Sequence, residues 1–277
     1  MPELPEVETI VRGLRPLLKG RRIEAAWWSG KPLHLRRPVD LRGLRALAVG
    51  HVITGVRRVG KYLLVEVDGD ARADAGIVIH LGMTGRLHVE PAARARAPHT
   101  HVTLLLNGGD ELRFVDARRF GWVEPARSLA AAAPLAHLGP DPLAELDADK
   151  LARALTGVRA PIKAFLMDQR RVAGLGNIYV SEALFRARIH PRTPAGKVRG
   201  RAAPLLAGIR ASLRGGIENR GTTLRDYVDA LGKRGDNRSA LLVYDRAGQP
   251  CRRCGAEIRR RVDSGRSTFY CSACQLK

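Results

Sequence analysis

Two sets of residues in this chain are of types and spacings that do chemistry. The first is Cys251-x2-Cys254-x16-Cys271-x2-Cys274, which contains every cysteine of the chain. Two such knuckles bring four thiolates round one tetrahedral Zn2+ and leave no open ligand position, so the expected role is structural: the metal folds the segment. Clustering of all four argues for metal rather than disulfides in a reducing compartment. Between the knuckles lie Arg259, Arg260, Arg261 and Arg266. A zinc-stabilised hairpin with that basic edge suits a nucleic-acid groove, although zinc ribbons also serve as plain scaffolds. The second set is Pro2-Glu3. A small second residue normally permits removal of Met1, which leaves a proline whose nitrogen is a free secondary amine. Such α-amines titrate near about 7.7 to 8.0, so much of it is unprotonated at neutral pH. That is the nucleophile Schiff-base chemistry requires, and Glu3 is a carboxylate able to move its protons. The plainer alternative is that Pro2 and Pro5 only start a helix.

Other candidates are weaker singly. Gly174-Leu175-Gly176-Asn177 sets a glycine-rich turn before a helix, where backbone N–H groups bind phosphate and Asn177 adds a side-chain donor; a tight turn is the ordinary reading. Gly60-Lys61-Tyr62, His80-Leu81-Gly82-Met83 and Asp116-Ala117-Arg118-Arg119-Phe120-Gly121 each stand beside an apolar run. Read plainly, Lys61 is a solvated strand end, Met83 core filler and Phe120 a core aromatic. Read together, they place cations at strand ends, with Met83, Arg118 and Phe120 able to enter a duplex as wedges and replace an extruded base.

The elements that must hold these residues follow from periodicity. Val7, Ile10, Val11, Leu14, Leu17 and Leu18 recur at helical steps and Gly20 ends the run, so a helix with one buried face anchors Pro2. Residues 49–59, 62–67, 77–81, 101–106 and 111–115 are short apolar runs, and Asn107-Gly108-Gly109-Asp110 is a hairpin signal. They predict an antiparallel sandwich or barrel with a helix at its front, and loops over 71–75 and 91–98. Residues 127–142 carry no strand pattern and read as a linker between a domain over 1–126 and a helical one over 143–241. Helices are expected over 150–155 after the capping Asp147, over 162–167, 178–187 and 203–217, with a short one starting at Thr222 or Thr223. A short strand over 242–244 then leads into a zinc module over 242–277.

The chain has 277 residues, enough for two domains with packed cores. Lys and Arg number 48 against 27 Asp and Glu, a formal charge of +21. An unpaired surplus of that size favours a polyanion, since each neutralised phosphate releases condensed counterions. No run approaches the roughly 18 apolar residues of a membrane helix. Glu3, Glu6 and Glu8 do not resemble a basic secretory n-region. A soluble protein of the cytoplasm, or of the nucleoid within it, is expected.

In combination these motifs resemble the bacterial formamidopyrimidine-DNA glycosylases of the Fpg/Nei superfamily. The carriers are Pro2-Glu3-Leu4-Pro5-Glu6-Val7-Glu8-Thr9, Gly60-Lys61-Tyr62-Leu63-Leu64, His80-Leu81-Gly82-Met83, Asp116 through Gly121, Gly176-Asn177-Ile178-Tyr179, Gly221-Thr222-Thr223-Leu224 and Thr268-Phe269-Tyr270-Cys271. The resemblance implies an α+β multidomain enzyme: an N-terminal antiparallel β-sandwich with a leading helix, then a helix–two-turn–helix domain with a zinc-ribbon finger. It implies removal of oxidised purines from double-stranded DNA, and cleavage at abasic sites, by a monomer that needs no membrane. Pro2 would form the Schiff base and Glu3 handle protons, with Glu6 supporting them. Lys61 and Arg266 would join the catalytic set while holding phosphates, and His80 and Asn177 would hold phosphates as well. Met83, Arg118 and Phe120 would fill the vacated stack, and Lys163 would lie near the lesion pocket. Residues 231–239 depart from the family pattern at the loop that folds over the extruded base, and their basic, glycine-containing sequence fits a mobile loop that orders on DNA. Two alternatives stand beside this: an endonuclease VIII-like enzyme for oxidised pyrimidines, and a non-catalytic DNA-binding protein on the same scaffold.

Overall fold

The computed structural model describes residues 1–34, 38–69 and 74–276. Positions 71–73 of the loop expected over 71–75 lie outside the described residues. The chain divides into two compact units, Met1–Ala136 with Arg220–Gly235, and His137–Asn219 with Asp236–Lys277.

In the first unit, helix α1 (Leu4–Leu18) starts on a reciprocal cap. The Glu3 side chain accepts from the Glu6 N–H, and the Glu6 carboxylate accepts from the Glu3 N–H at 2.8 Å. Pro5 sits in the first turn, where its missing N–H costs nothing, and Gly20 leaves the helix at φ +84°. Two four-stranded antiparallel sheets follow. One runs β1 (Ile23–Trp28), β6 (Thr100–Leu106), β7 (Asp110–Val115), β5 (Arg86–Pro91). The other runs β2 (Ile53–Val59), β3 (Tyr62–Val67), β4 (Gly76–His80), β8 (Trp122–Ala126). Helix α2 (Leu41–Ala48) is capped by Asp40, which accepts from the Gly43 N–H at 2.8 Å. Residues Ile53, Leu63 and Ile77 of one sheet share a single core with Ile23, Leu104 and Phe114 of the other. Val7, Ile10, Val11, Leu14 and Leu18 close it, as read from the sequence, whereas Leu17, counted on the same face, is exposed. Of the sandwich and the barrel, the sandwich is what forms. The glycine pair at 108–109 turns β6 into β7 with φ of +87° and +84°. The 91–98 loop is fastened by the fully buried Arg113, which donates to the carbonyls of Pro91, Arg94 and Ala95.

The second unit carries α3 (Ala148–Leu155), α4 (Ile162–Met167), α5 (Asn177–Arg186) and α6 (Ala202–Glu218), then the hairpin β9 (Ile258–Asp263) and β10 (Arg266–Cys271). Asp147 caps α3 as expected, accepting from the Lys150 N–H at 2.7 Å.

Beyond the unanticipated α2, β5 and β8, four details differ from the sequence reading. No helix starts at Thr222 or Thr223: the Thr222 N–H is taken by Glu6 Oε1 at 2.7 Å, and the Thr223 hydroxyl accepts from Gly235 and donates to the Tyr227 carbonyl. No strand forms over 242–244, because the three successive N–H groups converge on the Glu182 carboxylate, whereas an extended strand sends them alternately to opposite edges. Residues Arg220–Gly235 pack with the first unit, where Ala230 joins the core beside α1. The stretch read as featureless from 127 onward contributes Leu129 and Ala132 to a small cluster with Leu64 and Val78. Among the described residues no helix is long and apolar enough to cross a membrane.

Candidate nucleic-acid interface and metal centre

Pro2 and Glu3 are both buried at the start of α1, held there by the cap and by Glu6. Burial keeps the Met1 α-amine below its usual range. The Lys61 cation pushes the same way, while Glu3 and Glu6 oppose it. Lys61 sits in the turn between β2 and β3 and is 5% exposed, so it is no solvated strand end. A pocket of about 480 Å³ opens beside the terminus, and Met1, His34, His80, Met83, Arg118 and Phe120 are among its walls.

The two loops that supply that wall lock into each other. Gly82 has φ +60°, and a Cβ there would lie 2.4 Å from the Gly121 nitrogen, so only glycine lets the loops approach. The Asp116 carboxylate, fully buried, accepts from the N–H groups of Gly121 at 2.8 Å and Arg118 at 3.2 Å, and from the Thr84 hydroxyl. Thus anchored, the loops present Met83 and Phe120 at 43% and 44% exposure. Large apolar side chains that exposed are neither core filler nor core aromatics. The Arg118 guanidinium lies 4.5 Å over the Phe120 ring. Asp116 has no role legible in the sequence beyond its place in the motif; the structure shows it as a buried carboxylate just past the end of β7, ahead of the left-handed Arg119 (φ 54°).

His80 ends β4 with its ring 5.1 Å from Tyr62 and stacked on Trp122 at 6.1 Å. Burial, helped by Lys61 and His34, lowers its pKa to about 4. Its Nδ1 accepts from the Gly82 N–H at 3.1 Å, so the neutral ring carries its proton on Nε2, free to donate. A sign follows for stability. An unfolded chain protonates this imidazole as pH falls below about 6.5, while the folded one stays neutral to about pH 4, so stability present at neutral pH is lost on acidification. The whole effect is at most about 3 kcal/mol. Denaturant melts at pH 7 and pH 5 are expected to show a shallower pH dependence for His80→Gln than for the parent; equal slopes refute the assignment.

In the second unit the remaining candidates gather at one carbonyl. Lys163 Nζ donates to Ser267 O at 3.0 Å and to Thr268 Oγ1 at 2.7 Å, and Asn177 Nδ2 donates to the same Ser267 O at 2.8 Å. Gly176 is the N-cap of α5, so the glycine turn does precede a helix, and Asn177 opens it. Arg266, adjacent to Ser267, is exposed at the start of β10. The structure thus groups Pro2, Glu3, Lys61, His80, Met83, Arg118 and Phe120 in the first unit, and Lys163, Asn177 and Arg266 in the second.

The sulfur atoms of Cys251, Cys254, Cys271 and Cys274 all lie within 4.8 Å of one another, with Cys254 to Cys271 at 3.5 Å and Cys251 to Cys274 at 4.0 Å. A tetrahedron with Zn–S near 2.3 Å has edges of about 3.8 Å, so the four fit one zinc ion. The Arg253 N–H points at Cys251 Sγ from 3.4 Å, and Gln275 joins the Cys271 N–H to the Ile189 carbonyl.

Comparison with known proteins covers nearly the whole chain. Residues 1–123 match the formamidopyrimidine-DNA glycosylase N-terminal domain, 138–228 the formamidopyrimidine-DNA glycosylase H2TH domain, and 248–276 the zinc finger found in FPG and IleRS. The chain is 48% identical to the formamidopyrimidine-DNA glycosylase of Rhizorhabdus wittichii, over 99% of this chain and 100% of that one. It is 47% identical to that of Moorella thermoacetica, over 94% of each. The MutM (FPG) protein of Thermus thermophilus superposes with a TM-score of 0.86 at 40% identity, covering 99% and 98% of the two chains. The Lactococcus lactis Fpg in complex with abasic-site DNA superposes at 0.89 with 32% identity, covering 99% and 100%.

Proposed function

We propose that this chain, which belongs to the formamidopyrimidine-DNA glycosylase family, is a bifunctional DNA glycosylase and abasic-site lyase that removes oxidised purines, 8-oxoguanine and formamidopyrimidines, from double-stranded DNA. The observation that carries this reading is the pocket that gathers the chain terminus with His80 and the three wedge residues. With Met1 removed, the Pro2 amine lone pair attacks C1′ of the damaged nucleotide. The glycosidic electron pair leaves with the base, which takes up a proton; the amine sheds its own proton, the C1′–O4′ bond opens with O4′ taking up a proton, and an iminium forms between Pro2 and C1′ of the ring-opened sugar. Loss of the C2′ proton expels the 3′ phosphate, and a second elimination expels the 5′ phosphate. Glu3 moves these protons from its place beside the amine. Lys61 holds a phosphate and helps keep the amine unprotonated. His80 donates to a phosphate as a neutral group, and Asn177 and Arg266 hold phosphates from the other unit. Met83, Arg118 and Phe120 occupy the stack the nucleotide leaves, which lowers the cost of extrusion. Lys163 steadies the hairpin that carries Arg266. Zinc fastens the hairpin and takes no chemical step. The protein acts as a monomer on DNA in the cytoplasm, at the nucleoid.

The test is incubation with an 8-oxoguanine duplex and borohydride, which reduces an iminium to a stable adduct. A covalent protein–DNA species is expected, and its absence sinks the reading. A thymine-glycol duplex run in parallel reads lesion class: faster trapping there would move the chain to the oxidised-pyrimidine branch.

A further inference from the structure

Glu182 lies in the middle of α5, is 2% exposed, and belongs to none of the groups described above. Its carboxylate accepts four donors. Oε1 takes the N–H of Val243 at 2.8 Å and of Tyr244 at 3.0 Å, the Leu242 N–H lies 3.0 Å from both oxygens, and Arg186 Nη1 meets Oε2 at 2.8 Å. Three successive backbone N–H groups converging on one buried carboxylate form an anion nest filled by the chain itself. The segment so gripped carries Tyr244. The Tyr244 ring lies 4.9 Å from Phe269 of β10, and its hydroxyl is 3.5 Å from Asn177 Nδ2. Asn177, at the head of the same helix, in turn holds Ser267. Helix α5 therefore grips the zinc hairpin twice, through Glu182 at the segment leading into it and through Asn177 at the residue beside Arg266.

We infer that Glu182 is a positioning residue for DNA binding: by clamping 242–244 onto α5 it fixes Tyr244 and β10, and so brings Arg266 and Asn177 to bear on one phosphate. This rests on the phosphate roles proposed above for those two residues. A partner strand could not take all three, since its ladder bonds alternate residues and successive N–H groups of an extended chain face opposite edges, so a single acceptor is what gathers them. The carboxylate sets where the segment sits as well as that it is bonded.

The test is a comparison of Glu182→Gln, Arg266→Ala and the double variant, each as full-length zinc-loaded protein, binding a duplex with a non-cleavable abasic-site analogue over a range of salt. Glutamine keeps an acceptor oxygen but loses the charge and faces Arg186 with an N–H2, so the variant is expected to fold and to retain one zinc by elemental analysis. Its dissociation constant is expected to rise about tenfold and the salt slope to fall by about one, the signature of one lost phosphate contact. In catalysis most of the loss appears in KM rather than kcat. In the double variant the two losses do not multiply, because Glu182 acts through Arg266. Wild-type affinity and slope in Glu182→Gln, fully multiplicative losses, or loss of zinc in proportion to affinity would each overturn the inference. Glu182→Ala, which strands three N–H groups, is expected to bind more weakly still; should it not fold, Glu182→Gln decides. Binding is read without chemistry, so a wild type that binds yet forms no borohydride adduct would count against the glycosylase reading alone.

Discussion

Protein that retains Met1, or carries any N-terminal extension, is expected to give at least about 100-fold less borohydride-trapped adduct than protein beginning at Pro2, with affinity for an abasic-site duplex largely kept. The reason is chemical first. With Met1 in place the Pro2 nitrogen is a tertiary amide whose lone pair is delocalised, and it has no nucleophilicity to offer. The Met1 amine is itself unprotonated more readily than usual because it is buried, so a misplaced nucleophile remains in the pocket. It stands one residue, about 3.8 Å, out of register. Misplacement by about 1 Å can already cost 100-fold when reacting atoms must meet in line. The Met1 side chain also lines the pocket that would receive the sugar.

The terminus cannot slide to compensate. Glu6 binds the Glu3 N–H with one oxygen and the Thr222 N–H with the other, and the α1 face below it is packed into the sandwich core. Mass spectrometry of the N-terminus alongside trapping on an abasic-site duplex checks the expectation. Equal adduct from Met1-retaining protein would remove Pro2 as the nucleophile. Pro2→Gly with Met1 removal verified separates position from identity: an amine at the right place should trap, but less than the parent, and undiminished trapping would deny Pro2 any special part.

Much of this was legible because the signals are local. Cysteine spacing specifies a tetrahedral site whatever surrounds it, and the Val7 to Leu18 stripe needs only a helix to become a buried face. The hairpin at Asn107 to Asp110 is written in glycines that adopt positive φ. Strands β5 and β8 escaped notice for the opposite reason. In β5 the polar Arg86, His88 and Glu90 alternate with only Leu87 and Val89 before Pro91, a period-two pattern too short to stand out, and β8 contains Pro125; the ladder of a neighbour completes each. The short α2 is interrupted by arginines and Gly43, and Asp40 starts it.

What the sequence conceals most completely is long-range polar bonding. Nothing near Thr222 says that its N–H will meet Glu6, 216 residues away, so a capping threonine is the reasonable local expectation. Likewise Leu242, Val243 and Tyr244 have strand propensity, and only the buried Glu182 on a distant helix cancels it. The residues 231–239 that depart from the family pattern follow the same rule. Asp229 accepts from the N–H groups of Leu231 and Lys233, and the Gly235 N–H reaches Thr223, so the segment up to Gly235 is a bonded turn seated on the first unit.

Metal removal should have the other large effect. The hairpin β9–β10 has two strands and a small core of Phe185, Val243, Cys251, Ile258, Phe269 and Cys271, two of which are ligands. Two-stranded sheets are marginal in water, and structural zinc contributes on the order of 10 kcal/mol of apparent folding free energy to modules of this kind. Without it the hairpin has too little core to persist. Chelation, or Cys271→Ser, is therefore expected to unfold the module and leave Lys163 and Asn177 without the Ser267 carbonyl they share. Arg266 then has no fixed place. Affinity for duplex DNA should fall by about 100-fold or more, as truncation of several joint phosphate contacts implies, and the salt slope should fall with it. The two sheets of the first unit draw nothing from the metal, so their far-ultraviolet signal and cooperative melt should survive. Zinc released per chain, measured with a colorimetric indicator against affinity, gives the relation directly. A metal-free protein that binds lesion DNA as the parent does would show that the hairpin is held by its packing alone, and the assignment of zinc as the folding element would fail.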